Sequence, residues 1–126
     1  MKWMKVLLSI KPEFVEKIFD GTKRFEFRKN LFKKDGITSV IIYSTMPVGK
    51  VVGEFDIADL ITDIPENVWA KTSSYAGIDK KFFDSYYDNR QRAVAIGIGN
   101  VRRYEQPMPL VELGIGSTPP QSYRYL

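Results

Sequence analysis

Four charged side chains fall within six positions of this chain: Lys23, Arg24, Glu26 and Arg28, interleaved with Phe25 and Phe27. In an extended strand, residues two apart project to the same side at a spacing of about 6–7 Å. Arg24, Glu26 and Arg28 are therefore expected on one face, with Phe25 and Phe27 on the other. A carboxylate set between two guanidinium groups can orient both, leaving each with donors for a phosphate or a base edge. The same ladder left in water would be an inert row of salt bridges, worth little to stability. Residue chemistry by itself leaves both readings open.

The residue inventory narrows what else this chain can do. With no cysteine and no histidine, it has no disulfide, thiolate nucleophile, imidazole ligand or His-based triad. Carboxylates alone could hold a metal, and Asp56 and Asp59 read more simply as solvent-facing residues, so no metal and no cofactor are expected. Gly97-Ile98-Gly99 lies inside an apparent strand with no helix opening after it, which is too weak for dinucleotide binding, and there is no phosphate-binding Gly-x-x-x-x-Gly-Lys loop.

Charge is unevenly spread. Residues 1–35 carry ten Lys and Arg against five Asp and Glu, residues 36–77 two against five, and residues 78–126 seven against five. A basic N-terminal third attracts phosphates. No apolar run approaches the ~20 residues of a membrane-spanning helix, and the opening segment turns polar too early for a signal peptide. A cytoplasmic protein without membrane attachment is expected. Its 126 residues fit one domain, 1–126, with near-average hydrophobic and charged content.

Several elements must position the charged motif. Residues 4–10 read as a buried strand, followed by Pro12 at the first position of a helix of about nine residues that Gly21 ends. After Gly21 the period changes to two, giving the Phe25/Phe27 strand, then a basic loop over 29–34 and an Asp35-Gly36 turn. Strands follow over 39–44 and 50–61, the second with Gly53 marking a bulge or a close backbone approach. Two short helices are expected near 65–72 and 78–88, their aromatic residues packing on the sheet. A strand over 92–104 carries Gly97 and Gly99, whose missing side chains should make room for something, and residues 121–126 add an edge strand with Tyr123 and Tyr125 on one face.

The stretch Ser9-Ile10-Lys11-Pro12, a helix, and then Gly21-x-Lys23-x-x-Glu26-x-Arg28 resembles the signature of the ASCH domain family, a branch of the PUA-like superfamily. Tyr43-Ser44-Thr45-x-Pro47, Val52-Gly53-Glu54-Phe55, the strand at 93–96 and Pro119-Pro120-Gln121-Ser122 also resemble small prokaryotic members, so the likeness covers most of the chain. It implies an α+β fold, a PUA-like mixed β-barrel flanked by short helices at one opening, with the motif lining a basic cleft. It further implies a ligand that is RNA or a nucleotide, in RNA-linked or transcription-linked regulation.

On this resemblance Lys23 and Arg28 would contact phosphate or a base, while Glu26 would accept from an exocyclic amine or hold Arg28. Lys11 and Arg24 would add charge to the same cleft, Ser44 and Lys50 would line it, and Gln121 and Tyr123 would close it. Some relatives of this kind are amidohydrolases acting on acylated cytidine with a Lys, a Thr nucleophile and a distant Glu. Here Glu26 stands at the Thr position, and a carboxylate attacking an amide would have to form an anhydride. The enzymatic alternative is therefore a hydrolase acting on a modified nucleoside or on RNA, with Glu26 and Lys23 as an acid–base pair.

Overall fold

Val6, Leu7 and Leu8 are consecutive and all fully buried, which requires protein on both faces of their strand. In the computed structural model, which describes residues 4–126, this strand is β1 (Met4–Ile10). The remaining strands are β2 (Phe25–Arg28), β3 (Ile37–Ser44), β4 (Lys50–Asp63), β5 (Ala93–Met108) and β6 (Tyr123–Tyr125). They form one sheet in the order β2-β5-β4-β3-β1-β6, curled into a half-barrel. The pair β1 and β3 is parallel and every other pair antiparallel. Three helices accompany it: α1 (Pro12–Asp20), α2 (Pro65–Thr72) and α3 (Lys80–Tyr86). The architecture is the expected mixed α+β one.

Alternation along the strands sorts the core. Val6, Leu8 and Ile10 of β1 join Val40, Ile42, Phe55, Ile96 and Ile98 in a cluster that also takes Val15 and Ile18 of α1. Leu7 points the other way and packs with Ile41, Tyr43, Val51 and Leu110, the last from a 3-10 turn at Leu110–Leu113. A third cluster gathers Phe27, Ala93 and Ala95 beneath Val68, Phe83 and Tyr87, so α2 and α3 cover the end of the sheet that bears β2. Most aromatic residues of the 69–87 segment are spent there, as their density leads one to expect.

The helix after Pro12 has the expected nine residues, with Gly21 left-handed (φ 85°) at its end. Helix α3 is shorter than the expected 78–88 because Asp79, in extended conformation, caps it by accepting from the Phe82 backbone N–H at 2.8 Å. Strand β5 runs beyond residue 104 to Met108, since it stays paired with β4 as far as Val51.

Strand β4 bends through register shifts near Gly53, Ile57 and Asp59. Gly53 is both a bulge and a close approach: a β-carbon there would lie 2.5 Å from the Arg102 carbonyl oxygen and 2.9 Å from the Phe19 ring. The space opposite Gly97 and Gly99 is filled by β4 itself, because β-carbons at these two positions would sit 3.1 Å from the Asp59 β-carbon and 3.1 Å from the Asp56 carbonyl oxygen. Among the described residues, no helix is long and apolar enough to cross a membrane.

Because backbone as well as side chain blocks a methyl at Gly53, Gly53→Ala is expected to lower unfolding free energy by about 2 kcal/mol. The urea midpoint should fall with an unchanged slope. A midpoint equal to that of the unaltered protein would mean that β4 and β5 separate more freely than this packing allows.

Candidate functional site

Helix α1 delivers the motif. Its left-handed end at Gly21 turns the chain back so that the Lys23 backbone N–H donates to the Lys17 carbonyl at 3.0 Å, after which β2 pairs with β5 from Phe25 to Arg28. Tyr87, just past α3, fixes the far end of β2, its hydroxyl lying 2.8 Å from the Arg28 carbonyl and 3.1 Å from that of Val94. The charged residues are thus held by regular elements at both ends.

Lys23 is the most unusual of them, being 2% exposed. Its ammonium donates to the Ala76 carbonyl at 2.7 Å and lies 5.3 Å and 4.9 Å from the centres of the Phe14 and Phe27 rings. Burial pushes its pKa down to about 8, opposed by the attraction of Glu26. Its stem runs against Gly77, where φ is +70° and a β-carbon would lie 2.6 Å from the Lys23 β- and γ-carbons. Only glycine fits that contact without strain. The Gly77 carbonyl in turn accepts from the Lys17 ammonium at 3.0 Å.

Glu26 is 6% exposed and its Oε2 accepts from Arg28 Nη1 at 3.1 Å. The other end of the Arg28 guanidinium donates from Nη2 to the Ser122 carbonyl at 2.6 Å. One arginine therefore ties the β2 carboxylate to the segment leading into β6, across the open side of the half-barrel. The Ser9 hydroxyl of β1 holds the same segment from the paired side by donating to the Pro120 carbonyl at 2.8 Å.

Between these groups lies a cavity of about 190 Å³. Ser9, Ile10 and Lys11 at the β1–α1 corner form one side, with Phe14 of α1, and Lys23, Glu26, Phe27 and Arg28 form the β2 side. Ile78, Phe82 and Tyr86 close it from α3 and the turn before it. Positive groups, one carboxylate and aromatic faces therefore meet in one enclosure. Such a set can hold a phosphate, a hydrogen-bonding base edge and a stacked ring together.

Of the residues singled out in the sequence, Lys11, Lys23, Glu26 and Arg28 line this cavity. Gln121 is exposed between Pro120 and Ser122, whose carbonyls receive Ser9 and Arg28, so it stands at the rim. Ser44 and Lys50 pair with each other at the end of β3, beside the Ile10 end of β1; Ser44 is buried and Lys50 exposed, and neither lines the cavity. Tyr123 packs on Phe32 at 5.3 Å and on Tyr125 at 5.2 Å, as part of the inner core's edge.

Phe27 lines the cavity with Glu26 and Arg28 instead of facing away from them, and a second departure from the expected alternation is Arg24. It precedes β2, its backbone N–H donates to the Tyr75 carbonyl, and its guanidinium stacks 5.4 Å from the Tyr75 ring. It lines a separate depression with Phe19, Gly21 and Gly99. The strand period does not extend to it because the α1–β2 connection is still turning there. Lys23, from outside the predicted ladder, fills the enclosure instead.

Phe14, Ile78, Phe82 and Tyr86 were not singled out. A signal existed in α3, where Phe82/Tyr86 and Phe83/Tyr87 are two i, i+4 pairs one residue apart. One helix face cannot bury both pairs in the same core. Phe83 and Tyr87 go inward, and Phe82 and Tyr86 face the cavity.

Comparison with known proteins places this geometry. Large ribosomal subunit protein uL22 of Ureaplasma parvum is 27% identical over 121 residues, which cover 96% of this chain and 39% of that protein. ATP synthase subunit alpha of the same species is 30% identical over 122 residues, covering 96% of this chain and 15% of that protein. The chain thus spans well under half the length of these relatives. The ASCH domain-containing ribonuclease of Zymomonas mobilis is 25% identical over 128 residues, covering 97% of this chain and 84% of that protein. The crystal structure of ASCH from Zymomonas mobilis has the same fold, with a TM-score of 0.85 at 24% identity over 97% of this chain and 87% of that one. Residues 8–106, which run from the end of β1 through most of β5 and hold the whole cavity wall, match the ASCH domain, and the chain belongs to the ASCH domain family.

Proposed function

We propose that this domain binds single-stranded RNA at the β2–α1–α3 cavity and cleaves it. The observation that carries the reading is the meeting of Lys23, Glu26 and Arg28 within one aromatic-walled enclosure. At about 190 Å³ it is smaller than the roughly 300–1,000 Å³ of pockets for drug-sized ligands. It suits one base or sugar, with the rest of a strand outside. Further support comes from the Zymomonas mobilis relative, matched over nearly the whole chain, which is named a ribonuclease. The Ureaplasma parvum relatives bear unrelated names and are matched over a part of their length only.

RNA carries its own nucleophile in the 2′-hydroxyl. Glu26 takes that proton while the O2′ lone pair forms a bond to the adjacent phosphorus. The P–O5′ bond breaks, and the leaving O5′ takes a proton from the Lys23 ammonium. Arg28 faces the phosphoryl oxygens, where negative charge builds up. The products are a 2′,3′-cyclic phosphate and a 5′-hydroxyl, after which Glu26 returns its proton to water and Lys23 regains one. A lysine with a pKa of about 8 is a far better acid at neutral pH than one at the ordinary 10.5.

The cavity's small volume supports a second reading, hydrolysis of a modified nucleoside, in which Glu26 activates water and Lys23 polarises the carbonyl. One experiment separates them: end-labelled RNA, its all-deoxy counterpart and a panel of acylated nucleosides incubated with the protein and with Glu26→Gln. Cyclic-phosphate ends from RNA alone, with kcat/KM at least about 100-fold lower in Glu26→Gln, are expected. Deacylation without RNA cleavage would replace the first reading by the second, and cleavage undiminished in Glu26→Gln would remove Glu26 from the mechanism.

Lys23→Met is expected to retain or exceed the stability of the unaltered protein, because burial of the charge is the dominant cost at that position. RNA turnover should nevertheless be lost. A melting and activity pair in which the variant is stable and still active would exclude Lys23.

The pH profile follows from the direction of the Lys23 shift. If its protonated form serves as the acid, log(kcat/KM) should fall with unit slope above pH 8. A profile level to pH 10 would assign the acid elsewhere.

A further inference from the structure

The loop joining β2 to β3 lies against the cavity and plays no part in the chemistry above. It carries Lys29, Lys33 and Lys34, all exposed. A solvated basic loop would ordinarily be free to move, yet this one is pinned at three points. Tyr87 holds the Arg28 carbonyl at its start, Phe32 is buried against Tyr123, and the Tyr125 hydroxyl accepts from the backbone N–H groups of both Lys33 and Lys34 at 2.9 Å and 3.0 Å.

The lysine heads are also arranged. Lys29 Nζ lies 4.8 Å from the centre of the Tyr86 ring, which is itself part of the cavity wall, and Lys34 Nζ lies 4.6 Å from that of Tyr125. Among the described residues some basic side chains pair with carboxylates and others, such as Lys11, Lys17, Lys50 and Lys81, do not. Lys5, Lys71, Lys80, Arg102 and Arg103 each have a carboxylate partner. Among the described residues, Lys29, Lys33 and Lys34 have none within ion-pair distance. Unpaired cations interleaved with aromatic rings, on a loop fixed by backbone hydrogen bonds, match the needs of a flexible polyanion with stackable bases.

We propose that the 29–34 loop, with Tyr125, is a second contact surface for the same RNA strand, carrying its backbone out of the cavity past Tyr86. The preferred substrate class is then single-stranded oligonucleotide, several nucleotides long, and not a free nucleotide. This rests on the reading of the cavity as an RNA site.

The test measures binding of labelled single-stranded RNA of three and ten nucleotides across a salt series. The proteins are the unaltered chain, the triple variant Lys29→Ala/Lys33→Ala/Lys34→Ala, and Lys23→Met. The ten-mer is expected to bind the unaltered protein at least about tenfold more tightly than the trimer at low salt. The triple variant should lose that advantage, keep trimer affinity within about twofold, and flatten the log–log salt slope for the ten-mer by about 2. Equal affinity for the two lengths, or a triple variant with unchanged slope, would overturn the loop's role. Trimer binding unaffected by Lys23→Met would overturn the cavity assignment instead. Because the three lysines are exposed, loss of folding does not confound the variant, and Lys29→Arg/Lys33→Arg/Lys34→Arg should retain both slope and affinity.

Discussion

Burying an ammonium group costs several kcal/mol unless its surroundings compensate. Around Lys23 the compensation comes from four places in the chain: the Ala76 carbonyl, the faces of Phe14 and Phe27, and the charge of Glu26. They belong to three different parts of the fold. Phe14 requires α1 to lie where it does, Phe27 and Glu26 require β2 to pair with β5 in register, and Ala76 requires the turn between α2 and α3 to reach the lysine. That turn can do so because Gly77 lets the backbone press on the lysine stem. Lys23 is consequently a joint on which the two helical regions and the edge strand meet, and changing any of them changes the charge state of the site.

The second constraint is the open edge of the sheet. Strands β2 and β6 end the order and do not pair with each other. Unpaired edges invite association with other chains. Here side chains span the gap: Arg28 to the Ser122 carbonyl, and Tyr125 to the backbone of the 29–34 loop. Closure by side chains leaves the hollow between the edges accessible, which a continuous ladder would not. The cavity exists because the barrel is incomplete, and Arg28 serves both as part of the closure and as a wall of the site.

Much of this was legible in the sequence, for identifiable reasons. Pro12 and Gly21 bracket α1 because each has a conformational preference that few residues share, and the run of branched residues at 4–10 specifies a strand buried on both faces. The Gly-x-Lys-x-x-Glu-x-Arg spacing marked Lys23, Glu26 and Arg28, all of which line the cavity. Period-two reasoning failed at Arg24 because it assumed the strand began one residue before it does. The aromatic wall was missed because apolar residues on a short helix look alike whether they face a core or a hollow. That difference depends on how α3 is turned against β2, which is decided by long-range packing of Phe83 on Phe27 and Trp69. Gly97 and Gly99 likewise promised a vacancy; bent β4 presses on both where a β-carbon would sit, while Gly99 still borders the depression that Arg24 lines.

A chain without histidine or cysteine has few groups that change charge near neutral pH. The Lys23 ammonium becomes one chiefly through burial, helped by the charge of Lys17 and opposed by Glu26, its pKa brought down to about 8. The neutral form is therefore within reach just above neutral pH. A phosphate arriving in the cavity adds an opposite charge and favours the protonated form. By linkage, the form that holds the proton most firmly is therefore the one with substrate bound, while the free protein avoids part of the cost of a buried charge. In the proposed reaction, breaking the P–O5′ bond would place new charge on the leaving oxygen, with the Lys23 ammonium as the acid beside it. In that reading a bound phosphate and burial act on the same proton in opposite directions, the phosphate holding it and the surroundings built by Phe14, Phe27, Ala76 and Gly77 loosening it.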